Sequence, residues 1–283
     1  MDLTVMNDRM EKVLDKVSRV LMVAVIVAAA VLALHYVRRI FFFERFTVKG
    51  NSMSPTLEGG TPLWVNKMII GPRIYTDFDF EKPEMSCVRF PGLRRLRPGD
   101  IAVFNYPWGW KEGTIGFKIN YVYAKRCVGV PGDTVMIKDC VVMNSSSPTG
   151  LPESRQEVLR SIPDSVLLKR HCLKAGHFAG KDNEWTVKDM GPVVVPGKGM
   201  TVKMDTLTAG IYSLVIRHET GGAPVTGDGG TVSLDGETID SYTFKEDYCL
   251  FFGDNAVDSK DSRYIGFVPE KFVVGVIMKR GLK

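Results

Sequence analysis

Cysteine and histidine are scarce in this sequence, and their spacing excludes the common metal and redox sites. The five cysteines include no C-x-x-C pair, which argues against a zinc site or a disulfide framework and leaves a single disulfide open. The four histidines are accompanied by no G-x-S-x-G segment, so a serine–histidine hydrolase is disfavoured. Residue 222 is glycine, so His218 and Glu219 do not begin a zincin motif. We therefore expect no metal ion and no cofactor.

Charge of one sign is nowhere concentrated, and the sequence holds no repeat and no low-complexity segment. The net charge of +5 comes from 37 basic and 32 acidic residues that are scattered along the chain. This distribution argues against nucleic acid as a partner, while it is compatible with an anionic lipid surface. With 45% apolar and 24% charged residues in 283, the chain has the composition of a globular protein of one or two domains.

Only one apolar run is long enough to cross a bilayer. It covers residues 17–37 if His35 and Tyr36 lie in the interface, close to the ~20 residues that a spanning helix needs. A cleaved signal peptide is the competing interpretation. However, a charged tail at 1–16 precedes the run and no small-x-small cleavage site follows it, which favours an uncleaved transmembrane anchor over 17–38.

The orientation of this anchor does not follow from its flanking charges. Four basic residues lie before the uncharged stretch that begins at Val20, at 9, 12, 16 and 19, and four follow the run, at 38, 39, 45 and 49. The positive-inside rule therefore gives a tie. Aromatic residues at Phe41, Phe43, Trp108 and Trp110 suit the boundary between lipid and water. The same residues suit a partly buried core equally well.

Beyond Phe46 the sequence predicts a mostly β fold. Short runs of β-branched and aromatic residues alternate with Gly, Pro, Asn and Asp, as antiparallel sheets require. One helix is expected within 156–169. The predicted strands are 61–65, 100–104, 121–130, 134–137, 193–195, 212–215, 248–252 and 272–278.

A loop rich in Gly, Ser and Pro follows the apolar run. Ser52 stands in Gly50-Asn-Ser-Met-Ser-Pro-Thr-Leu57, where Pro55 restricts the backbone of Ser54 and Gly50 permits close approach of another segment. Such a loop can present a hydroxyl group for chemistry. Taken alone, it is equally well explained as a turn.

The predicted strand at 121–130 carries a lysine among apolar neighbours. Tyr123, Lys125 and Cys127 share one face, and Arg126 lies on the other. A lysine amine has a pKa near ~10.4 and becomes a useful general base when this falls to about 7 or 8. Burial and a nearby cation such as Arg126 both favour that shift. A lysine that extends to solvent is the simpler interpretation of this strand by itself.

Four segments in this order, behind an N-terminal apolar run, resemble the type I (bacterial leader) signal peptidase family. The last of them combines hydroxyls, carboxylates and Arg263 in one loop that lacks the spacing of an EF-hand. The matched motifs are Ser52-Met-Ser-Pro-Thr-Leu, Pro98-Gly-Asp-Ile-Ala-Val-Phe104, Lys125-Arg-x-x-Gly-x-Pro-Gly-Asp133, and Gly253-Asp-Asn followed by Ser259-x-Asp-Ser-Arg263.

The resemblance implies a serine–lysine dyad. Ser52 would be the nucleophile, Lys125 its neutral general base, and the Ser52 backbone N–H a donor to the oxyanion. Some family members add a hydroxyl two residues before the nucleophile, where this sequence has Gly50. A side-chain donor to the oxyanion is therefore missing.

The resemblance also implies a group of supporting residues around the dyad. Ser259 would hydrogen-bond to the lysine and orient it. Asp261 and Arg263 would form a supporting ion pair, with Arg126 as a further member of the network.

The implied architecture is an antiparallel β catalytic domain formed by 39–133 and 248–283. A smaller β-rich domain over 134–247 interrupts it, and no role is assigned to that insertion. We expect a mostly β protein behind one transmembrane helix, and a monomer.

The implied function is cleavage of signal peptides from exported preproteins, after small residues at the first and third positions before the cut. The enzyme would act at membrane lipid, on the outer side of the cytoplasmic membrane. Two alternatives differ in class. Self-cleaving repressors also use serine and lysine on a β fold but carry a DNA-binding helix-turn-helix, and a membrane-tethered binding module would need no titratable pair.

Overall fold

The computed structural model describes residues 3–79, 82, 84–107, 113–178 and 184–278. The chain begins with a long helix, α1 Leu3–Val37, which continues into a π-helical turn at Arg38–Phe42. By length and composition, Met10–Phe42 is able to cross a membrane. Its apolar side chains are exposed, as with Ile26 at 60% and Leu34 at 70%. The predicted apolar helix over 17–38 is thus part of a longer helix that starts within the charged tail.

The rest of the described chain is mostly β structure, and every strand pairing in it is antiparallel. The strands are β1 Phe43–Thr47, β2 Pro62–Asn66, β3 Arg73–Tyr75, β4 Cys87–Arg89, β5 Ile101–Asn105, β6 Val122–Gly129, β7 Thr134–Lys138, β8 Val141–Asn144, β9 Met190–Val194, β10 Thr201–Lys203, β11 Val225–Thr226, β12 Val232–Leu234, β13 Glu237–Thr238, β14 Ser241–Thr243, β15 Tyr248–Phe252, β16 Val268–Pro269 and β17 Val273–Ile277. The further helices are α2 Glu153–Ser161, α3 Asp164–Lys169, α4 Thr206–Thr220 and α5 Ser262–Ile265. The predicted fold class is confirmed.

The main sheet has the strand order β1-β2-β17-β5-β6-β15-β16. Strand β17, near the end of the chain, pairs with both β2 and β5, so the two halves of the chain complete one sheet. Strand β6 pairs with β5 from residue 122 onward, but with β15 only from Arg126 onward. The backbone of residues 122–125 is therefore open on the side away from β5.

Side chains alternate between the two faces of this sheet and feed two apolar clusters. On β5, Phe104 packs in the larger cluster and Val103 in the smaller one. The larger cluster also contains Val135, Val193 and Tyr212, so the residues of 134–247 share a core with the main sheet. The division of the chain into a catalytic and an inserted domain stays a prediction. Within 134–247 the described strands form three small sheets, β8-β7-β9, β10-β14 and β11-β12-β13.

The prediction of a strand at 212–215 is wrong, because these residues lie in helix α4. Asp205 caps the helix, accepting from the Thr208 N–H at 2.8 Å, and Gly221 ends it with a φ of +85°. The buried residues recur with the helical period along one face, which favours a helix although the segment is rich in β-branched residues. They are Ala209, Ile211, Tyr212, Val215 and Ile216.

The helix expected within 156–169 is two helices, α2 and α3. Pro163 follows Ile162, whose backbone is extended, with φ of −81° and ψ of 124°. A residue before proline disfavours helical backbone, so the chain turns between the two helices. The five cysteines are free thiols.

Candidate active site

Ser52 lies in a tight loop between β1 and β2. The Ser54 N–H donates to the Asn51 carbonyl at 3.0 Å, and the Leu57 N–H donates to the Met53 carbonyl at 2.9 Å. Met53 and Leu57 are each 1% exposed and pack in the smaller apolar cluster. Burying each such side chain stabilises the fold by roughly 1.5 to 3 kcal/mol, so both flanks of the loop are held on the sheet. Ser52 itself is half-buried.

Lys125 reaches this loop from β6, and its Nζ donates to Ser52 Oγ. The lysine is 3% exposed, and its Nζ lies 5.3 Å from the centre of the Tyr123 ring on the same face of the strand. Burial lowers the pKa of Lys125 to about 8, with Asp261 opposing the shift and Arg263 reinforcing it. The structure thus brings the two predicted dyad residues into hydrogen-bond contact and moves the pKa of the amine toward the range of a useful general base.

Asp261 is fully buried and is surrounded by donors. Its carboxylate accepts from the Gly253 N–H at 2.8 Å, from Ser259 Oγ at 2.6 Å, and from Arg263 Nε at 2.9 Å and Nη2 at 2.6 Å. Burial by itself raises the pKa of Asp261, but the Arg263 charge and these hydrogen bonds outweigh it and leave the pKa lowered. The predicted Asp261–Arg263 pair is present as a buried ion pair.

Ser259 does not make the contact with Lys125 that was expected of it. It donates to Asp261, and within the described chain it makes no hydrogen bond with Lys125. Its place beside the site is fixed by Gly253, where an added Cβ would lie 2.1 Å from Ser259 Oγ and 2.6 Å from the Ser52 carbonyl oxygen. Glycine at this position lets the two loops touch.

Arg126 was expected in the Asp261–Arg263 network, and the structure places it elsewhere. It lies on the opposite face of β6 from Lys125 and binds Asp254, with Nε–Oδ1 at 2.8 Å and Nη2–Oδ2 at 2.7 Å. The cation that acts on Lys125 is Arg263. The prediction for Arg126 is therefore corrected: its ion pair with Asp254 joins β6 to the loop after β15.

Sequence analysis did not single out Asp254, the partner of Arg126, or Thr56, which hydrogen-bonds to Asp254. Asp254 also accepts from Thr56 Oγ1 at 2.5 Å, which joins the loop after β15 to the serine loop. The Asn255 N–H adds a bond to the Ser52 carbonyl at 3.0 Å. Thr56 and Asp254 both stand inside the matched motifs, which was the available signal for their importance.

The backbone N–H of Ser52 has no hydrogen-bond partner in the described part of the chain, as an oxyanion donor requires. Gly50 has a φ of +76° and no side chain. A residue with a Cβ would be strained there, so the loop conformation itself favours glycine over a hydroxyl donor at this position.

A cleft of about 830 Å³ extends from Ser52 and Lys125 to Tyr36 and Arg39 at the end of α1. Its walls include strand β1, which is an edge strand, and the open backbone of residues 122–125. An extended peptide can add to such free strand edges through main-chain hydrogen bonds. In the described residues, no group of three or more His, Cys, Asp or Glu side chains is placed to hold a metal ion.

Several proteins named signal peptidase I are similar to this chain in sequence. Signal peptidase I of Bacillus licheniformis is 33% identical over 138 residues, which are 48% of this chain and 56% of that protein. Signal peptidase I of Pseudomonas aeruginosa is 36% identical over 105 residues, 37% of this chain and 31% of that protein. Signal peptidase I of Buchnera aphidicola is 26% identical over 247 residues, 86% of this chain and 69% of that protein.

The matched segments thus cover only 56% of the length of the Bacillus relative and 31% of the length of the Pseudomonas relative. The match to a family model, described as signal peptidase, peptidase S26, is far more extensive and covers residues 18–280. That range contains Ser52, Lys125 and the 253–263 loop. The chain therefore belongs to the signal peptidase family, peptidase S26.

Proposed function

We propose that this protein is a membrane-anchored serine endopeptidase that cleaves N-terminal signal peptides from exported preproteins. The observation that carries the proposal is the hydrogen bond between Ser52 Oγ and the buried amine of Lys125, whose pKa is lowered to about 8. A serine hydroxyl is a weak nucleophile until an adjacent base accepts its proton. A neutral lysine in contact with the hydroxyl supplies that base.

In the proposed reaction, neutral Lys125 takes the proton of Ser52 as Oγ attacks the carbonyl carbon of the scissile bond. The Ser52 N–H donates to the oxygen that becomes negative. Lys125 then returns the proton to the nitrogen of the leaving chain as the C–N bond breaks. A water molecule loses a proton to the same amine and attacks the carbonyl carbon of the acyl-enzyme. The ester bond to Ser52 Oγ then breaks, Lys125 returns the proton to Oγ, and the signal peptide leaves with a free carboxylate.

The cleft supports a preference for small residues at the first and third positions before the cut. A peptide that pairs with residues 122–124 is extended, so its alternate side chains point to the same wall. Near Ser52, that cleft is lined by the apolar side chains of Val48, Met53, Leu63 and Ala124. Small side chains at both positions let the peptide backbone approach the strand edge closely.

The position of the cleft supports action at a membrane. Tyr36 and Arg39 line its far end, and both stand where α1 ends. With α1 in the bilayer, the cleft opens at the lipid surface, where a membrane-bound signal peptide emerges. Preproteins are cut after translocation, so we place residues 39–283 on the outer side of the cytoplasmic membrane and the tail inside.

Exposed aromatic and aliphatic side chains beside α1 support lipid as a further partner. Ile40 is 42% exposed, Phe42 is 41% exposed and Trp64 is 42% exposed, as suits residues of the interface. Trp108 and Trp110 lie outside the described residues. A protein shortened to 38–283 should bind lipid vesicles, and Phe42→Ser with Trp64→Ser should weaken that binding. If the shortened protein stays free of vesicles, the lipid contact is wrong.

The experiment that tests the function uses the full chain in detergent and a preprotein with Ala-x-Ala before its cut. We expect one cleavage, after the second Ala, and none by Ser52→Ala. Binding of the preprotein without cleavage would favour the membrane-tethered binding module. Cleavage only within the chain itself would favour the self-cleaving class.

A further inference from the structure

The 134–247 insertion reaches the catalytic loop through helix α2. Arg155, in the first half of this helix, donates from Nη2 to Ser54 Oγ at 3.0 Å, two residues after the nucleophile. Arg155 makes no ion pair in the described chain, while Asp254 and Asp261 already bind Arg126 and Arg263. Within the described residues, the Ser54 hydroxyl is the hydrogen-bond partner of the Arg155 guanidinium.

The same helix contacts the second loop of the site one turn later. Leu159 is 3% exposed and packs in a small apolar cluster, against which Ala256 and Val257 also pack. These two residues directly precede Asp258 and Ser259. The neighbouring Asn255 N–H donates to the Ser52 carbonyl at 3.0 Å. One face of α2 thus meets the loop that carries Ser52 and the loop that carries Ser259 and Asp261.

We propose that α2 braces the two catalytic loops against each other, and that Arg155 is a positioning residue for Ser52 that acts through Ser54. This inference rests on the proposed peptidase function and assigns the insertion a role in it. Attack by Ser52 requires that its Oγ stay aligned with Lys125 Nζ, and displacements of ~1 Å cost enzymes up to about a hundredfold in rate. A hydrogen bond to the adjacent turn restricts such displacement.

Arg155→Met tests the proposal, because methionine keeps the stem of the side chain and removes its donors. We expect kcat for a peptide that spans the cut to fall by about tenfold, since the geometry of attack is disturbed. We expect KM to change by less than about twofold, since the cleft that holds the peptide is untouched. Ser54→Ala should give the same loss, and the double variant should lose no more than either single variant.

Arg160→Met is the matched control on the same helix. Arg160 is exposed and contacts Asp139 within the insertion, with Nε–Oδ2 at 3.2 Å and Nη2 donating to the carbonyl at 2.8 Å. This variant should keep the kcat and KM of the unmodified protein. Thermal unfolding of each variant checks that the lost activity does not reflect lost folded protein.

Three outcomes would overturn the proposal: a kcat for Arg155→Met equal to that of Arg160→Met, full activity of Ser54→Ala, or losses that multiply in the double variant. If Arg155→Met unfolds, the Ser54→Ala result decides, because it removes a single hydroxyl. Failure of the proposed function is a separate result, in which the unmodified protein cuts no more substrate than Ser52→Ala.

Discussion

At the scale of single residues, the site depends on a lysine kept in a place that disfavours its charge. Lys125 is 3% exposed, and burial lowers its pKa from 10.5 to about 8. Each tenfold change in a proton affinity corresponds to about 1.4 kcal/mol, so the charged form costs the folded state roughly 3 kcal/mol. The sheet and the loops around Ser52 must supply that free energy.

This cost predicts that Lys125→Met is more stable than the unmodified protein. Below about pH 8 both the folded and the unfolded lysine hold the proton, and the full penalty of ~3 kcal/mol applies. Between about pH 8 and 10.5 the unfolded state binds more protons, so the stability of the unmodified protein rises with pH. The advantage of Lys125→Met should therefore shrink over that range.

Denaturant unfolding of the detergent-solubilised protein at a series of pH values measures this difference. Lys198→Met, at an exposed position, serves as the control and should show no comparable gain. A Lys125→Met protein that is less stable than the unmodified one at pH 6 would contradict the view that burial destabilises the charged form of Lys125.

The direction of a side chain could be predicted where one local pattern decides it. Strand alternation placed Lys125 and Arg126 on opposite faces, and the structure agrees. It could not tell which carboxylate meets Arg126, because Asp254 and Asp261 lie on one loop whose path depends on the completed sheet. The same limit applies to Arg155, whose partner Ser54 lies in a different part of the chain.

At the scale of elements, the site is a contact between two loops that are held by sheet strands. The serine loop joins β1 to β2, and the 253–263 loop follows β15. They touch at Gly253, whose missing side chain leaves room for Ser259 Oγ and the Ser52 carbonyl. This close contact between the loops helps to hold Ser52 beside Lys125.

Gly253→Ala should therefore separate the loops and abolish most cleavage. The new Cβ would lie 2.1 Å from Ser259 Oγ and 2.6 Å from the Ser52 carbonyl oxygen, closer than real contacts allow. Initial cleavage rates on the Ala-x-Ala preprotein measure the effect, which we expect to be at least about a hundredfold.

Gly210→Ala provides the matched control, because an added Cβ there meets no atom within 4 Å. It lies inside α4, where alanine is favoured over glycine by about 1 kcal/mol. This control should keep full activity and gain thermal stability. Wild-type rates for Gly253→Ala would show that close loop contact is not required.

Strands with a clear β-rich composition could be predicted. Helix boundaries were predicted less well, because they depend on caps and on which face of the segment is buried. The strand at 248–252 is observed with the predicted bounds. Residues 212–215 have strand-like composition, yet the capping box at Asp205 and the helical burial period place them in α4. Pro163 divides the single helix expected within 156–169, a signal that the sequence contained.

At the scale of the whole molecule, the cleft lies between the end of the apolar helix α1 and the antiparallel sheets of residues 43–278, which we call the β body. The strands near the end of the chain complete the sheet begun after α1, and the 134–247 segment shares its core. Flanking charges gave no orientation, because four basic residues lie on each side of the uncharged stretch.

The proposed topology predicts that protease added to intact spheroplasts digests the β body. A tag on the tail before residue 17 should stay protected until the membrane is opened. Digestion of the tag with protection of the β body would mean the opposite orientation and would remove the catalytic site from translocated substrates.

The most direct test of the account is cleavage of the Ala-x-Ala preprotein by Lys125→Arg across a range of pH. Arginine keeps the positive charge but cannot lose its proton at working pH. In the unmodified protein, kcat/KM should rise with pH as the amine of pKa about 8 becomes neutral. Folded Lys125→Arg should be as inactive as Ser52→Ala at every pH; near-normal turnover by Lys125→Arg would contradict the serine–lysine mechanism.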